Sequence, residues 1–270
     1  MAFVRTGSFV AHYEFAGRSD APVLMLGNSL GTDMHLWDAQ VPALAARFRV
    51  LRYDMRGHGL TEVPAGVDAN TIDDLAGDVL ALADALGVER FHYCGLSIGG
   101  MVGQRLGARA PGRVRSLALC NTAMSVAAPQ VYRDRADAVR RDGLDSIGDA
   151  VLERWFTPGF LKTNPDTARG MRTMLTRNSV AGYAGCCLAL TRMDLAADAR
   201  RIACPTLVVA GAQDQATPAA AARAIAAAVK GAKLVEIPDC AHISSVERPA
   251  EVTAALTAFF AATAVGMVAG

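Results

Sequence analysis

The feature that most constrains this chain is a serine in a glycine-rich hexapeptide between a buried strand and a helix. An apolar run at residues 91–95 predicts the strand, GLSIGG occupies residues 95–100, and a helical segment starts near Met101. A turn this tight leaves little space for side chains at its flanks, which accounts for Gly95 and Gly99. It lifts the Ser97 hydroxyl clear of the sheet at a helix N-terminus, where backbone amides favour negative charge. The pattern predicts a nucleophilic serine.

Around this element, short apolar runs alternate with amphipathic stretches, which is the pattern of a mainly parallel sheet flanked by helices. A length of 270 residues with 52% hydrophobic side chains fits one large α/β domain, or one domain with an insertion. The predicted strands are residues 9–15, 23–27, 48–53, 91–95, 114–120, 206–210 and 233–237.

Two helices can be predicted from the capping residues at their ends. Thr71 and Asp74 predict a capping box, and Gly87 stands where a glycine would end the same helix. Between them, apolar residues at spacings of four, three and four line up one buried face: Leu75, Val79, Leu82 and Leu86. A second helix is expected to begin at Pro249 and to continue to about residue 262.

The middle of the chain lacks strand patterns and is rich in Arg, Asp, Met and Ala. We interpret residues 123–203 as a helical cap insertion in a core formed by residues 1–122 and 204–270. The insertion holds twelve Arg or Lys and nine Asp or Glu, a net charge of +3 against +1 for the whole chain. This excess fits an anionic ligand, and the count alone fits scattered, solvated charges at least as well.

A serine elbow of this kind is followed in the chain by an acid and then by a histidine that serves as its base. Only His242 follows Ser97, in the loop after the strand predicted at 233–237. Asp214 directly follows the strand predicted at 206–210, where side chains face the crevice of an open α/β sheet. Asp239 and Asp194 compete for this role, but Asp239 lies very close to His242 in sequence and Asp194 belongs to the insertion. We therefore predict Ser97, Asp214 and His242 as the catalytic set.

The oxyanion formed at an acyl carbon needs hydrogen-bond donors. One is expected to be the backbone amide of Ile98, directly after the nucleophile, and the other the amide of Leu30 in the loop GNSLG at residues 27–31. Hydrolases of this kind commonly carry His-Gly at the position of Asn28 and Ser29, so this loop departs from the usual pattern. His58 lies in a glycine-rich turn, DMRGHG, which we interpret as structural.

Several classes of protein are disfavoured by composition. A net charge of +1 argues against a strongly electrostatic nucleic-acid binder. The histidines and cysteines show no metal-ligand spacing, and six cysteines without a CxxC pair suit reduced thiols in the cytoplasm. We expect no signal peptide, and no membrane span in the uncharged stretch 252–270, which fits a packed helix with a small-residue tail.

The chain resembles the α/β-hydrolase superfamily over essentially its full length, through GNSLG, DMRGHG, GLSIGG, AGAQD and PDCAH. Within it, the chain looks like the 3-oxoadipate enol-lactonase family. The segments that carry this closer resemblance are NSLGTD, GLSIGG, and three stretches of the insertion: RWFTP at 154–158, GYAGCC at 182–187 and MDL at 193–195.

This resemblance implies a cytoplasmic bacterial enzyme of aromatic-compound breakdown, in the β-ketoadipate pathway. It would open a small anionic lactone to 3-oxoadipate without a cofactor. For the substrate carboxylate we favour Arg135 and then Arg133, because a planar guanidinium suits two-point pairing, with Trp155 as an apolar wall.

Other activities use the same catalytic set, so the sequence leaves a broader carboxylesterase or lactonase and a cofactor-free perhydrolase open. A non-catalytic binding protein on this fold is also compatible with the pattern, although the complete set of Ser97, Asp214 and His242 argues against a decayed site. Dehalogenases and epoxide hydrolases are disfavoured, because they carry Asp where this chain has Ser97.

Overall fold

The computed structural model describes residues 1–265 and confirms the predicted, mainly parallel sheet. The order of its eight strands is β1-β2-β4-β3-β5-β6-β7-β8, and only β2 runs antiparallel to its neighbours. The strands are β1 Ala2–Arg5, β2 Val10–Ala16, β3 Val23–Gly27, β4 Arg49–Tyr53, β5 Phe91–Leu96, β6 Val114–Cys120, β7 Thr206–Gly211 and β8 Lys233–Ile237.

Helices cover both faces of the sheet. They are α1 Val41–Ala45, α2 Ile72–Ala85, α3 Ile98–Arg109, α4 Pro129–Asp142, α5 Gly148–Trp155, α6 Pro158–Thr163, α7 Pro165–Thr176, α8 Val180–Thr191, α9 Ala196–Ala199, α10 Ala219–Ala228, α11 Ser244–Glu247 and α12 Pro249–Val265. Short 3₁₀ helices occur at Met34–Trp37, Val67–Ala69 and Leu144–Ile147. Within residues 1–265, no helix has the length and apolar character needed to cross a membrane.

The helix ends follow the chemistry of their caps. The Thr71 hydroxyl accepts from the Asp74 amide and the Asp74 carboxylate accepts from the Thr71 amide at 2.8 Å, so the predicted capping box starts α2. Gly87 follows the end of α2 with φ +67°, a left-handed conformation that glycine adopts at little cost. α12 begins at Pro249 as predicted, whereas residues 266–270 of the predicted tail lie outside the described residues.

The first strand was missed from sequence. β1 is four residues long and lies at the sheet edge, and its residues alternate between half-buried and exposed. The core strands, in contrast, are continuous buried runs: all six residues of β5 and all six of β7 are buried.

Between β6 and β7 the chain forms helices α4 to α9 and contributes no strand to the sheet. The segment enters and leaves at one place, where Ser125 and Asp194 form an isolated antiparallel bridge and the Leu195 amide donates to the carbonyl of Met124 at 2.8 Å. We call residues 123–203 the insertion; its boundaries as a separate unit stay a prediction.

Candidate active site

Ser97 occupies a strained turn between β5 and α3. Its φ of +57° and ψ of −117° lie outside the regions that side-chain-bearing residues normally adopt. The Ser97 amide donates to the carbonyl of Cys120 at 2.9 Å, and the Thr122 hydroxyl donates to the Ser97 carbonyl at 2.7 Å. A Cβ atom at Gly95 would collide with the backbone of Gly99, which explains the glycine at residue 95. The end of β6 therefore holds this turn in place.

Asp214 and His242 meet at the carboxyl ends of β7 and β8. The Nδ1 atom of His242 lies 2.8 Å from Oδ2 of Asp214. Oδ2 also accepts from the Thr217 hydroxyl and the Asn121 side-chain amide, and Oδ1 accepts from the amides of Ala216 and Thr217. Burial alone would raise the pKa of Asp214, but the charge of the His242 ring and these hydrogen bonds together hold it below its usual value. The carboxylate is thus kept ionised beside the imidazole.

Ser97 and His242 line the same cavity. Within residues 1–265 no hydrogen bond joins the Ser97 hydroxyl to the His242 ring, and catalytic contacts of this kind are often long without substrate. The backbone of the histidine loop is fixed by the insertion, because the amides of His242 and Ile243 both donate to the carbonyl of Trp155 at 3.0 Å. Neither competing acid makes this contact: Asp239 and Asp194 are exposed, and the carboxylate that reaches the His242 ring is that of Asp214.

A second histidine–aspartate contact lies elsewhere in the core and was missed from sequence. Nδ1 of His12 is 2.7 Å from Oδ2 of Asp54, whose carboxylate also accepts from the amides of Met34 and Leu60. Nε2 of His12 is buried and has no partner in the described part of the chain. This pair does not line the cavity of Ser97, and its hydrogen bonds hold the loop after β4 against Met34 and Leu60.

The predicted oxyanion donors lie beside the serine turn. Ile98 is the first residue of α3, so its amide has no acceptor within the helix. The Leu30 amide donates to no acceptor in residues 1–265, and Leu30 lines the cavity. Asn28, at the position that departs from the usual pattern, donates from its side chain to the carbonyl of Tyr53 at 2.7 Å, and its own carbonyl accepts from the Gly99 amide. This residue therefore ties the loop to β4 and to the serine turn.

Side chains of both the core and the insertion line the cavity. The core contributes Ser29, Leu30, Ser97, Ala216 and His242, and the insertion contributes Tyr132, Arg135, Val151, Arg154, Trp155, Tyr183 and Leu190. Trp155 is buried and contributes to the wall. The insertion therefore supplies most of the side chains that a ligand would touch.

Two half-buried arginines, Arg135 and Arg154, face this cavity without a carboxylate partner among residues 1–265. Other arginines of the insertion are paired with acids: Arg140, Arg141, Arg169 and Arg172. Two tyrosines stand beside Arg135, and burial raises the pKa of both Tyr132 and Tyr183, so that their hydroxyls remain donors. Arg135 also hydrogen-bonds the Tyr183 side chain, but this cationic part of the cavity contains no carboxylate from residues 1–265 that pairs with either arginine.

Arg133 does not reach this cavity. It is exposed on α4 and lies two positions from Arg135, which places it about 200° around the helix axis. Arg154 stands in the cavity instead and was not singled out from sequence; its place directly before Trp155 was the available signal. Among residues 1–265, no cluster of three His, Cys, Asp or Glu side chains could hold a metal ion.

Comparison with known proteins places this geometry among hydrolases. Residues 22–249 match the family model described as alpha/beta hydrolase fold. The chain is 37% identical over 88% of its length to 3-oxoadipate enol-lactonase 2 of Acinetobacter baylyi, and covers 88% of that protein. It is 34% identical to 3-oxoadipate enol-lactonase 1 of the same organism, over 86% of each chain. The crystal structure of the enol-lactonase from Burkholderia xenovorans LB400 matches with a TM-score of 0.93 and 40% identity, over 96% of this chain and 100% of that one.

Proposed function

The chain belongs to the α/β-hydrolase family and is a hydrolytic enzyme, and we propose that it opens 3-oxoadipate enol-lactone to 3-oxoadipate through an acyl-enzyme on Ser97. The names of the relatives support this substrate. The same relationship supports a cytoplasmic place in the β-ketoadipate pathway of aromatic-compound breakdown.

In the proposed reaction, the Ser97 hydroxyl attacks the lactone carbonyl while Nε2 of His242 takes its proton. Asp214 holds the ring and stabilises its positive charge. The amides of Leu30 and Ile98 donate to the oxyanion. When the tetrahedral intermediate collapses, the ring C–O bond breaks and its electron pair leaves on the enolate oxygen, a better leaving group than an ordinary alkoxide.

The enolate then takes a proton on carbon and becomes the ketone, which leaves an ester between Ser97 and the ring-opened acid. Water activated by His242 attacks this ester, and the carboxylic acid departs as the proton returns to Ser97. No cofactor enters this sequence of steps.

The observation that carries the choice of an anionic lactone is the pair of half-buried arginines without acidic partners, Arg135 and Arg154. Removing charged groups from water is costly unless a counter-charge is supplied. A ligand carboxylate would supply it, with the hydroxyls of Tyr132 and Tyr183 as further donors and Trp155 against the apolar part of the ligand. This supports an acyl substrate whose ring carries a carboxymethyl arm.

The test is a progress curve with 3-oxoadipate enol-lactone, run beside a neutral aryl ester and repeated with Ser97→Ala. We expect rapid loss of the lactone and none with the variant. Turnover of the aryl ester without turnover of the lactone would replace the proposal with a broader carboxylesterase. Binding of the lactone with no turnover at all would indicate a non-catalytic binding protein.

A further inference from the structure

Glu247 is a buried carboxylate for which the proposed chemistry has no use. Its residue is 6% exposed, and within residues 1–265 it forms no ion pair with a basic side chain. Three donors surround it instead. Oε1 accepts from the Thr157 amide at 2.9 Å and from the Thr157 hydroxyl at 2.6 Å, and Oε2 accepts from the Ala241 amide at 2.6 Å. Charge-assisted hydrogen bonds of this length are strong, which accounts for a carboxylate at this depth.

The two ends of this contact lie in different parts of the site. Arg154 and Trp155 line the cavity, and Thr157 comes two positions after Trp155 in the chain. Ala241 directly precedes His242, which also lines the cavity. The two segments also meet directly, through the hydrogen bonds from the His242 and Ile243 amides to the Trp155 carbonyl. Glu247 therefore binds, with its two oxygens, the segment that carries the arginine and the segment that carries the histidine.

We propose that Glu247 is a positioning residue that fixes the distance between Arg154 and His242, and that it thereby selects acyl substrates whose anionic arm has a matching length. The inference rests on the proposed function. A carboxylate suits this task because all of its partners are donors, whereas a glutamine would turn its own NH₂ group toward one of them. A misplacement of about 1 Å can cost on the order of 100-fold in rate.

The kinetic test uses a neutral ester, 4-nitrophenyl acetate, and the 4-nitrophenyl monoesters of succinate, glutarate and adipate. We expect the wild type to prefer one chain length. Glu247→Gln should reduce the ratio between the best and worst monoester about tenfold or more and should lower kcat on the neutral ester. Thr157→Val keeps the amide contact to Glu247 and removes the hydroxyl, which also caps α6 by accepting from the Phe160 amide at 3.2 Å. It should raise KM for the best monoester several-fold and leave kcat on the neutral ester within about twofold.

The control is Glu251→Gln, which changes an exposed glutamate on α12 and should leave the length preference intact. If Glu247 only stabilised the fold, its loss would lower the amount of active enzyme without changing the ratio of activities between the best and the worst monoester. An unchanged ratio in folded Glu247→Gln would overturn the inference. If that variant does not fold, Thr157→Val decides: an unchanged KM for the best monoester would overturn it as well.

Hydrogen exchange tests the contact without any substrate, so that failure of the proposed function can be distinguished from failure of this inference. In Glu247→Gln, peptides covering residues 155–160 and 239–244 should exchange faster together, while peptides of β5 and β6 stay protected. Exchange that rises in only one of the two segments would show that Glu247 does not connect them.

Discussion

The strand ends of the core and the helices of the insertion meet at one cavity, but they hold their side chains differently. Asp214 in the core accepts five hydrogen bonds, and the turn of Ser97 is fixed by the backbone of β6. Arg135 and Arg154 of the insertion have no acidic partner among residues 1–265. The proposed catalytic groups of the core are thus already held by hydrogen bonds, whereas under our proposal the two arginines of the insertion receive their counter-charge from the ligand. Core variants should harm every substrate equally, whereas insertion variants should discriminate among substrates.

The largest effect is expected at the proposed nucleophile. Ser97→Ala should lower kcat on the order of 10⁶-fold for an anionic lactone and a neutral ester alike. His242→Ala should cost about as much, and the double variant should be hardly worse than either single one, because the two residues act as one unit. Steady-state kinetics with circular dichroism as the folding control measures both. Losses that simply multiply would show that His242 is not the base for Ser97.

Asp214→Asn comes next, with an expected loss of about 10⁴-fold in kcat. The amide can retain the contacts from Thr217, but it neither orients the His242 ring correctly nor stabilises its positive charge. Asp54→Asn is the matched control, since Asp54 makes the other histidine contact of the core, 2.7 Å from His12. It should lower the melting temperature and leave kcat of the folded enzyme nearly unchanged. Equal kinetic losses in the two variants would remove the distinction between the pairs.

Arg135→Ala tests the insertion. We expect a loss of about 10–150-fold in kcat/KM for the anionic lactone, which corresponds to roughly 1.5–3 kcal/mol for a hydrogen bond to a charged group. Turnover of a neutral aryl ester should change little. Arg135→Lys should recover only part of the loss, because an ammonium cannot make the planar two-point contact. A folding defect would lower both activities together, so equal losses would reject Arg135 as the residue that binds the carboxylate.

Asn121→Asp tests how the core holds its acid. The Asn121 side chain donates to Oδ2 of Asp214 at 3.0 Å, and an aspartate there would bring two carboxyls into contact. Like charges this close raise the pKa of the carboxyl pair. As the pH falls, the pair therefore takes up a proton at a higher pH than Asp214 does in the wild type. The acid limb of kcat/KM should move up by about one pH unit or more, equally for neutral and anionic substrates. An unmoved limb would contradict this.

The same variant should change how stability depends on pH. In the wild type the pKa of Asp214 lies below its usual value, so the ionised carboxylate stabilises the fold at pH values above the unfolded pKa, and raising the folded pKa removes part of that stabilisation. If Asn121→Asp raises the folded pKa by one pH unit, the free energy of unfolding should therefore fall by about 1.4 kcal/mol relative to wild type. Urea denaturation at pH 4 and at pH 7 measures this difference.

Elements of the core and side chains of the insertion also differ in how well they could be predicted from the sequence. The interior strands β3 and β6 are mainly apolar and buried, and both were predicted at their observed bounds. The edge strand β8 was also predicted at its observed bounds, although only its last residue is fully buried. The short edge strand β1 gives no such signal. Asn121 and Glu247 were missed because their importance comes from contacts across 93 and 90 residues of chain, which no local pattern encodes.

The insertion was harder still, because its side chains depend on the rotation of each helix. Arg133 and Arg135 are the same residue type in the same segment, and both were predicted as residues that bind the carboxylate, with Arg135 preferred. Their separation by two positions turns one toward solvent and the other toward the cavity. For Arg154 the sequence offered only its place directly before Trp155, and its position in the cavity became clear once α5 was seen to end beside the histidine loop.

The smallest effect is therefore expected for Arg133→Ala. Arg133 is exposed, does not line the cavity and lies on the same helix as Arg135, so the variant removes the same charge from nearly the same place. Long-range attraction between surface charge and an anionic substrate is screened within about 8–10 Å in physiological salt. We expect kcat/KM for the anionic lactone to stay within about twofold of wild type at about 0.15 M salt. Measuring both arginine variants with both substrates distinguishes direct contact with the carboxylate from long-range electrostatic attraction. If Arg133→Ala and Arg135→Ala lose the same factor in kcat/KM, the insertion attracts the substrate by its net charge, and Arg135 has no special role.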